Sequence, residues 1–212
     1  MISHALKCIL VHVPKTGGTS IEDALGLSGP RHNTARQYRT YHAEIWAKYY
    51  SFAFVRNPWD RVLSLYLYRQ QIRRLDTEGS LSFGQWLARN AEYVRSSDAA
   101  ALNHAFAPEY GVGTIAQDDP EGWRVKFSSS LHMLADERGE ILVDFIGRYE
   151  RLQQDFDRVC DHLGIARRVL PCRNRTEHAP YWSYYDDESE RTVAEIFRGD
   201  IETFGYAFGE PR

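Results

Sequence analysis

Cysteine is scarce: the 212 residues hold three, Cys8, Cys160 and Cys172. An odd, widely spaced set without a C-x-x-C pair excludes a disulfide framework and a zinc-ribbon pattern, and reads as two core thiols and one loop thiol kept reduced. An excess of positive charge is missing too. With 26 Lys and Arg against 29 Asp and Glu the formal net charge is -3, so no global basic field exists to hold a nucleic-acid backbone or an anionic membrane, and any anion site must be local. Long apolar runs are absent: ahead of Pro14 there is only a short one, interrupted by Ser3, His4 and Lys7 and lacking a small-residue cleavage pattern. The expectation is a cytoplasmic protein without a transmembrane segment. Repeats, low-complexity tracts and Pro/Gly/Ser-rich linkers are also lacking, so one domain over 1–212 is expected, with a variable lobe at about 69–135 where the pattern is polar and rich in breakers.

What is present is an alternation of apolar runs and helical periods. CILVHV (8–13), FAFV (52–55) and ILVDFI (141–146) read as buried strands. Trp59, Val62, Leu63 and Tyr66 make one helical stripe, and Leu152, Phe156, Val159, Cys160 and Leu163 another, closed by Gly164. A capping-box spacing at Ser82–Gln85 opens a further helix, and Val193, Ile196, Phe197, Ile201 and Phe204 before Gly205 mark a last one. The class is α/β, a central parallel sheet flanked by helices.

The stretch VHVPKTGGTS (11–20) joins a strand to a helix through a Lys-Thr-Gly-Gly turn. Such a turn aims backbone N–H groups, a helix dipole and the Lys15 ammonium at one spot beyond the sheet's carboxyl edge, and the glycines let an anion approach the backbone. Read alone, a plain strand-to-helix turn is the lesser alternative, since glycine-rich turns are common. The lysine precedes the glycines, unlike the nucleoside-triphosphate pattern G-x-x-x-x-G-K-[ST]. FAFVRNPWDRVLSLY (52–66) repeats the strand, polar turn, helix sequence, with Arg56 at the strand end and Ser64 eight positions later. Two anion sites then share one edge.

These two motifs, with VDFIGRYERLQQDFDRVCDHLGI (143–165) and DESERTVAEIFRGDIETFGYAF (187–208), resemble sulfotransferases that use 3′-phosphoadenosine 5′-phosphosulfate, in particular the branch with carbohydrate sulfotransferases and bacterial relatives. The resemblance implies a sheet like that of the P-loop NTPases and no required metal. It further implies a donor 5′-phosphosulfate held by Lys15, Thr16, Gly17, Gly18, Thr19 and Ser20, and a 3′-phosphate held by Arg56 and Ser64. Arg148 and Arg175 lie where relatives contact the nucleotide. The partners implied are that small-molecule donor and a hydroxyl-bearing acceptor, a carbohydrate, seated on the 69–135 lobe; nucleic acid is not among them, and oligomeric state is left open. Where family members carry a Gln ahead of the third strand, this chain has KFSSSLHML (126–134).

Sulfuryl transfer leaves charge on a phosphate oxygen, which Lys15 and the helix amino terminus suit, and it needs a base for the acceptor proton. A helix over 42–50 running back along the sheet would start at the carboxyl edge, which puts His42 forward, with Glu44, His104 and His132 as alternatives. A helix-start histidine that only hydrogen-bonds locally reads the same sequence equally well, and His12 reads as structural. Two rivals remain: a small-molecule kinase using ATP, with Asp144 as a magnesium-holding strand acid, and a non-catalytic nucleotide-binding protein on the same fold.

Overall fold

The computed structural model describes residues 1–29, 32–72, 81–96, 128–171 and 179–210. In chain order the elements are β1 (Ile2–Ser3), β2 (Cys8–Val11), α1 (Gly18–Leu25), α2 (Ala35–Tyr41), α3 (Ala43–Trp46), β3 (Tyr50–Val55), α4 (Pro58–Ile72), α5 (Phe83–Ser96), α6 (Ser130–Leu134), β4 (Phe145–Arg148), α7 (Leu152–His162), α8 (Asp187–Ile196) and α9 (Arg198–Phe204). Short 3-10 turns occupy Tyr149–Arg151 and Tyr181–Tyr184. The chain forms two compact units, Met1–Arg56 with Phe106–Asn174, and Asn57–Ala105 with Arg175–Arg212.

The first unit carries the sheet, ordered β1-β2-β3-β4. β2, β3 and β4 are parallel, with Leu10 opposite Phe52 and Phe52 opposite Phe145. The expectation of a wholly parallel sheet is corrected: β1 adds an antiparallel edge, Ile2 opposite Ile9, through a turn in which Lys7 takes the left-handed conformation (φ 49°). Two residues are too few to show a period of two. The third predicted strand is also displaced, from 141–146 to Phe145–Arg148. Ile141 instead bridges to Ala135, the Leu142 amide donates to the Leu134 carbonyl, and Asp144 ties itself to Ser51.

The core of this unit explains the apolar runs. Cys8, Leu10, Phe52 and Phe54 from the strands pack with Ile21 and Leu25 of α1 and with Phe156, Val159 and Cys160 of α7, all buried. Side chains alternate along a strand, so Leu10, Phe52 and Phe54 share a layer while the helical stripe at 156, 159 and 160 covers it. Full burial of each such side chain contributes about 1.5–3 kcal/mol. β2 and β3 are buried along nearly their whole length, as strands covered on both faces must be.

The second unit is helical. Asn57 accepts from the Trp59 amide at 3.1 Å, and Pro58 opens α4 at the position where a missing N–H costs nothing. Ser82 and Gln85 form the expected reciprocal cap of α5, at 3.0 and 3.3 Å. Trp59 Nε1 donates to the Glu190 carbonyl and Tyr185 Oη to the Trp59 carbonyl, fixing α4 against the chain that leads into α8. The predicted single last helix is broken at Phe197 into α8 and α9; the Phe197 ring is buried beneath the Arg61 guanidinium, 5.0 Å from its centroid. Residues 73–80 and 97–127 of the expected lobe lie outside the described residues.

Candidate functional site

Parallel strands bring their carboxyl ends to one edge, and the register sets which residues meet there: Val55 lies opposite Arg148. One residue further along each strand, Arg56 meets Tyr149. The Arg56 guanidinium lies over the Tyr149 ring, 4.1 Å from its centroid, and Nη1 donates to the Lys15 carbonyl at 3.1 Å. So the two motifs read separately in the sequence are joined by a hydrogen bond, with Arg56 only 4% exposed.

The loop between β2 and α1 is shaped by two left-handed residues, Lys15 (φ 67°) and Gly17 (φ 83°). Gly17 occupies the position before α1, and no side chain caps the helix. By helix geometry the first-turn amides, Gly18 and Thr19 among them, have no intrahelical acceptor. A Cβ at Gly17 would come 2.7 Å from a Leu152 methyl and 3.4 Å from Tyr149. A Cβ at Gly18 would come 2.2 Å from His12 Nε2. Glycine is therefore required at 18 by close packing against the His12 ring, and at 17 by the left-handed conformation. Lys15, Gly17 and Thr19 are half-buried, whereas Thr16, Gly18 and Ser20 are buried. Thr16 Oγ1 donates to the Val13 carbonyl at 2.8 Å, so its hydroxyl braces the turn.

Beneath the loop, His12 Nδ1 lies 2.5 Å from Glu22 Oε1, both side chains buried. His32 reaches the same strand end, its Nδ1 3.0 Å from the His12 carbonyl oxygen and its ring 4.8 Å from the His12 ring. His12 thus serves in the packing of the loop, and His32, which no motif singles out, is the histidine brought to it from the segment ahead of α2.

His42 lies at the junction of α2 and α3, half-buried, its ring 6.2 Å from that of Tyr38. The helix expected over 42–50 is a single turn, Ala43–Trp46, about 6 Å long by its rise. A six-residue strand spans about 20 Å, so α3 does not run back along the sheet as supposed. Glu44 is exposed on α3, and His132 lies half-buried in α6. Ser64 is half-buried on α4 in the second unit. Arg148 is half-buried at the end of β4, and its amide donates to Asp155 Oδ2 at 2.8 Å. Arg175, His104 and Cys172 lie outside the described residues.

Tyr149 is the site residue that strand patterning misses. Its signal was available only through register: once Val55 faces Arg148, the next pair follows. Asp144, by contrast, precedes β4 and so sits at the amino edge, the end of the sheet away from the loop. Its Oδ2 accepts from the Ser51 amide at 2.8 Å and the Ser51 hydroxyl at 2.7 Å. An acid spent on that clamp is not one that holds magnesium beside a phosphate on the loop.

The family model for sulfotransferases matches residues 1–207. The chain belongs to the sulfotransferase family. A protein of Archaeoglobus fulgidus, described only as uncharacterized, is 32% identical over 121 residues, which are 57% of this chain and 72% of that one. No solved structure matches at a significant level. Among the described residues of this sulfotransferase-family chain, no helix is long and apolar enough to cross a membrane, and no group of three or more His, Cys, Asp or Glu side chains is arranged to hold a metal.

Proposed function

We propose that this protein transfers the sulfuryl group of 3′-phosphoadenosine 5′-phosphosulfate to an acceptor hydroxyl, that of a carbohydrate or glycoconjugate, on a sheet akin to that of the P-loop nucleotide-binding proteins. The observation that carries the reading is the bond from Arg56 to the Lys15 carbonyl, which ties a guanidinium fork to a glycine turn at the amino terminus of α1. A turn of this kind suits one anion, and a rigid fork of donors a few residues away in space suits a second. A donor carrying a 5′-phosphosulfate and a 3′-phosphate presents two.

In this proposal the turn holds the amides at Gly18 and Thr19 in place and Lys15 adds its charge beside them, so that together they stabilise the charge that develops on the departing phosphate oxygen. A lysine suits that task because its charge is compact. Arg56 binds the 3′-phosphate. Ser20 is buried and Thr16 is spent within the turn, so Thr19 is the hydroxyl of the loop best exposed to the donor. Ser64, Arg148 and Arg175 enter as nucleotide contacts on the resemblance. His42 enters as the base for the acceptor proton on its sequence motif alone, since the single turn of α3 does not carry it back along the sheet.

Titration calorimetry with 3′,5′-ADP, 5′-AMP and ATP tests the donor site. The 3′-phosphorylated nucleotide is expected to bind roughly tenfold to a hundredfold more tightly than 5′-AMP, the worth of one charge-assisted phosphate contact. Transfer from labelled phosphosulfate in excess EDTA is expected to proceed. Equal affinity for 3′,5′-ADP and 5′-AMP would refute the reading, and magnesium-dependent ATP turnover would replace it with a kinase.

A further inference from the structure

We infer that Tyr149 is a positioning residue for the donor's 3′-phosphate: its ring backs the Arg56 guanidinium while one N–H of that group is anchored to the Lys15 carbonyl. This rests on the donor-site reading above and adds to it a residue outside the phosphate-binding motifs.

Three observations converge on the ring. Arg56 is 4% exposed and its guanidinium carbon lies 4.1 Å from the Tyr149 centroid, within the range where a cation is drawn to an aromatic face. Its Nη1 donates to the Lys15 carbonyl at 3.1 Å, which fixes rotation within the guanidinium plane. The same ring stands 3.4 Å from where a Gly17 Cβ would be, so it borders the glycine turn as well as the arginine. Tyr149 itself is held: it opens the 3-10 turn at the end of β4, where the Arg148 amide and the Arg151 Nε both donate to Asp155 Oδ2 at 2.8 Å.

The physical consequence concerns orientation. With an aromatic face 4.1 Å from its central carbon and one N–H bonded to the Lys15 carbonyl, the guanidinium has fewer orientations open to it. Binding a phosphate to such a fork loses less side-chain entropy than binding to a mobile arginine. Tyr149 therefore contributes to selection for a 3′-phosphate, and the effect passes through Arg56.

The test compares the full-length wild type with Tyr149→Leu, Tyr149→Phe and Tyr149→pentafluorophenylalanine, the last keeping the ring's shape while reversing its quadrupole. The readout is the ratio of affinities for 3′,5′-ADP and 5′-AMP by calorimetry, with circular dichroism as the check on folding. Tyr149→Phe should keep the wild-type ratio. Tyr149→Leu and the fluorinated variant should each lower it by roughly 3- to 30-fold, the span of cation–π attraction for a largely desolvated pair. In an Arg56→Ala background the same changes should leave the ratio where Arg56→Ala put it. If Tyr149→Leu fails to fold, the fluorinated variant decides. A wild type that prefers 3′,5′-ADP, with that preference unchanged in the fluorinated variant, overturns the role of Tyr149 alone. A wild type with no preference overturns the donor-site reading and this inference with it.

Discussion

Gly18→Ala adds one methyl group to the turn, and the structure sets what it meets. The new Cβ would lie 2.2 Å from His12 Nε2, 2.3 Å from Cδ2 and 2.7 Å from Cε1. Carbon contacts are comfortable at about 3.5–4.0 Å, so ring and turn must separate by more than about an ångström. The ring cannot swing aside cheaply, because His12 Nδ1 is 2.5 Å from Glu22 Oε1 in a pair whose members are 6% and 4% exposed. Breaking a buried pair of this kind costs about 3–5 kcal/mol. Shifting the turn instead is ordinary overpacking, at about 1–3 kcal/mol, and the cheaper route sets the outcome. At about 2–4 °C per kcal/mol for a chain of this length, the thermal midpoint should fall by roughly 2–12 °C. The turn moves with it, and a displacement of about 1 Å at a site that orients a reacting group costs roughly hundredfold in turnover. The decisive measurement repeats Gly18→Ala in a His12→Ala background, by thermal and urea denaturation. There the obstacle is gone and alanine is the better helix former by up to about 1 kcal/mol, so the substitution should become neutral or stabilising. An equal loss of stability in both backgrounds would refute the packing account of this glycine.

Three further outcomes are expected. Lys15→Ala should lower turnover by roughly a hundredfold or more in a folded protein, whereas His42→Ala should lower it by roughly a hundred to ten thousandfold with 3′,5′-ADP affinity unchanged; loss of nucleotide binding in His42→Ala would remove it as the base. Stability should decline at alkaline pH, because burial pushes the Cys8 thiol from about 9 up to about 11. Between those values the folded chain binds a proton that the unfolded chain has released, so the contribution is whole below about 9 and lost as pH rises through about 11. Urea midpoints at pH 8 and 10.5 measure it, and Cys8→Ala should flatten the slope; a wild-type slope retained in that variant would assign the effect to other groups.

The parts legible in the sequence were those fixed by burial along a single element. β2 and β3 show as unbroken apolar runs because both faces are covered, and α7 shows because Phe156, Val159 and Cys160 all turn to the sheet. The Ser82 cap of α5 is local chemistry and shows in the spacing of Ser82 and Gln85. β4 departs from its apolar run because the strand continues through Gly147 and Arg148, residues that do not advertise a core strand. Gly147 is there because the Phe54 ring lies 2.4 Å from where its Cβ would be, and Arg148 because the strand ends at the edge. The glycine turn and Arg56 were visible as motifs, yet the contact between them spans 41 positions and depends on register. His42 reads as the start of one helix over 42–50, whereas the chain uses two short helices meeting at that residue. Phe197, where the last helix breaks, likewise packs against Arg61, a partner far away in the chain.

Lys15 holds a backbone conformation (φ 67°) that glycine adopts readily and lysine does not. A screen that rewarded heat resistance alone would be drawn to this position, since Lys15→Gly relieves a local penalty on the order of 1 kcal/mol. It would do so by discarding the one ammonium in the turn. Consensus or thermostability engineering of this scaffold therefore has to hold position 15 fixed and seek its gains elsewhere, for the residue least suited to the bend is the one whose charge the bend presents.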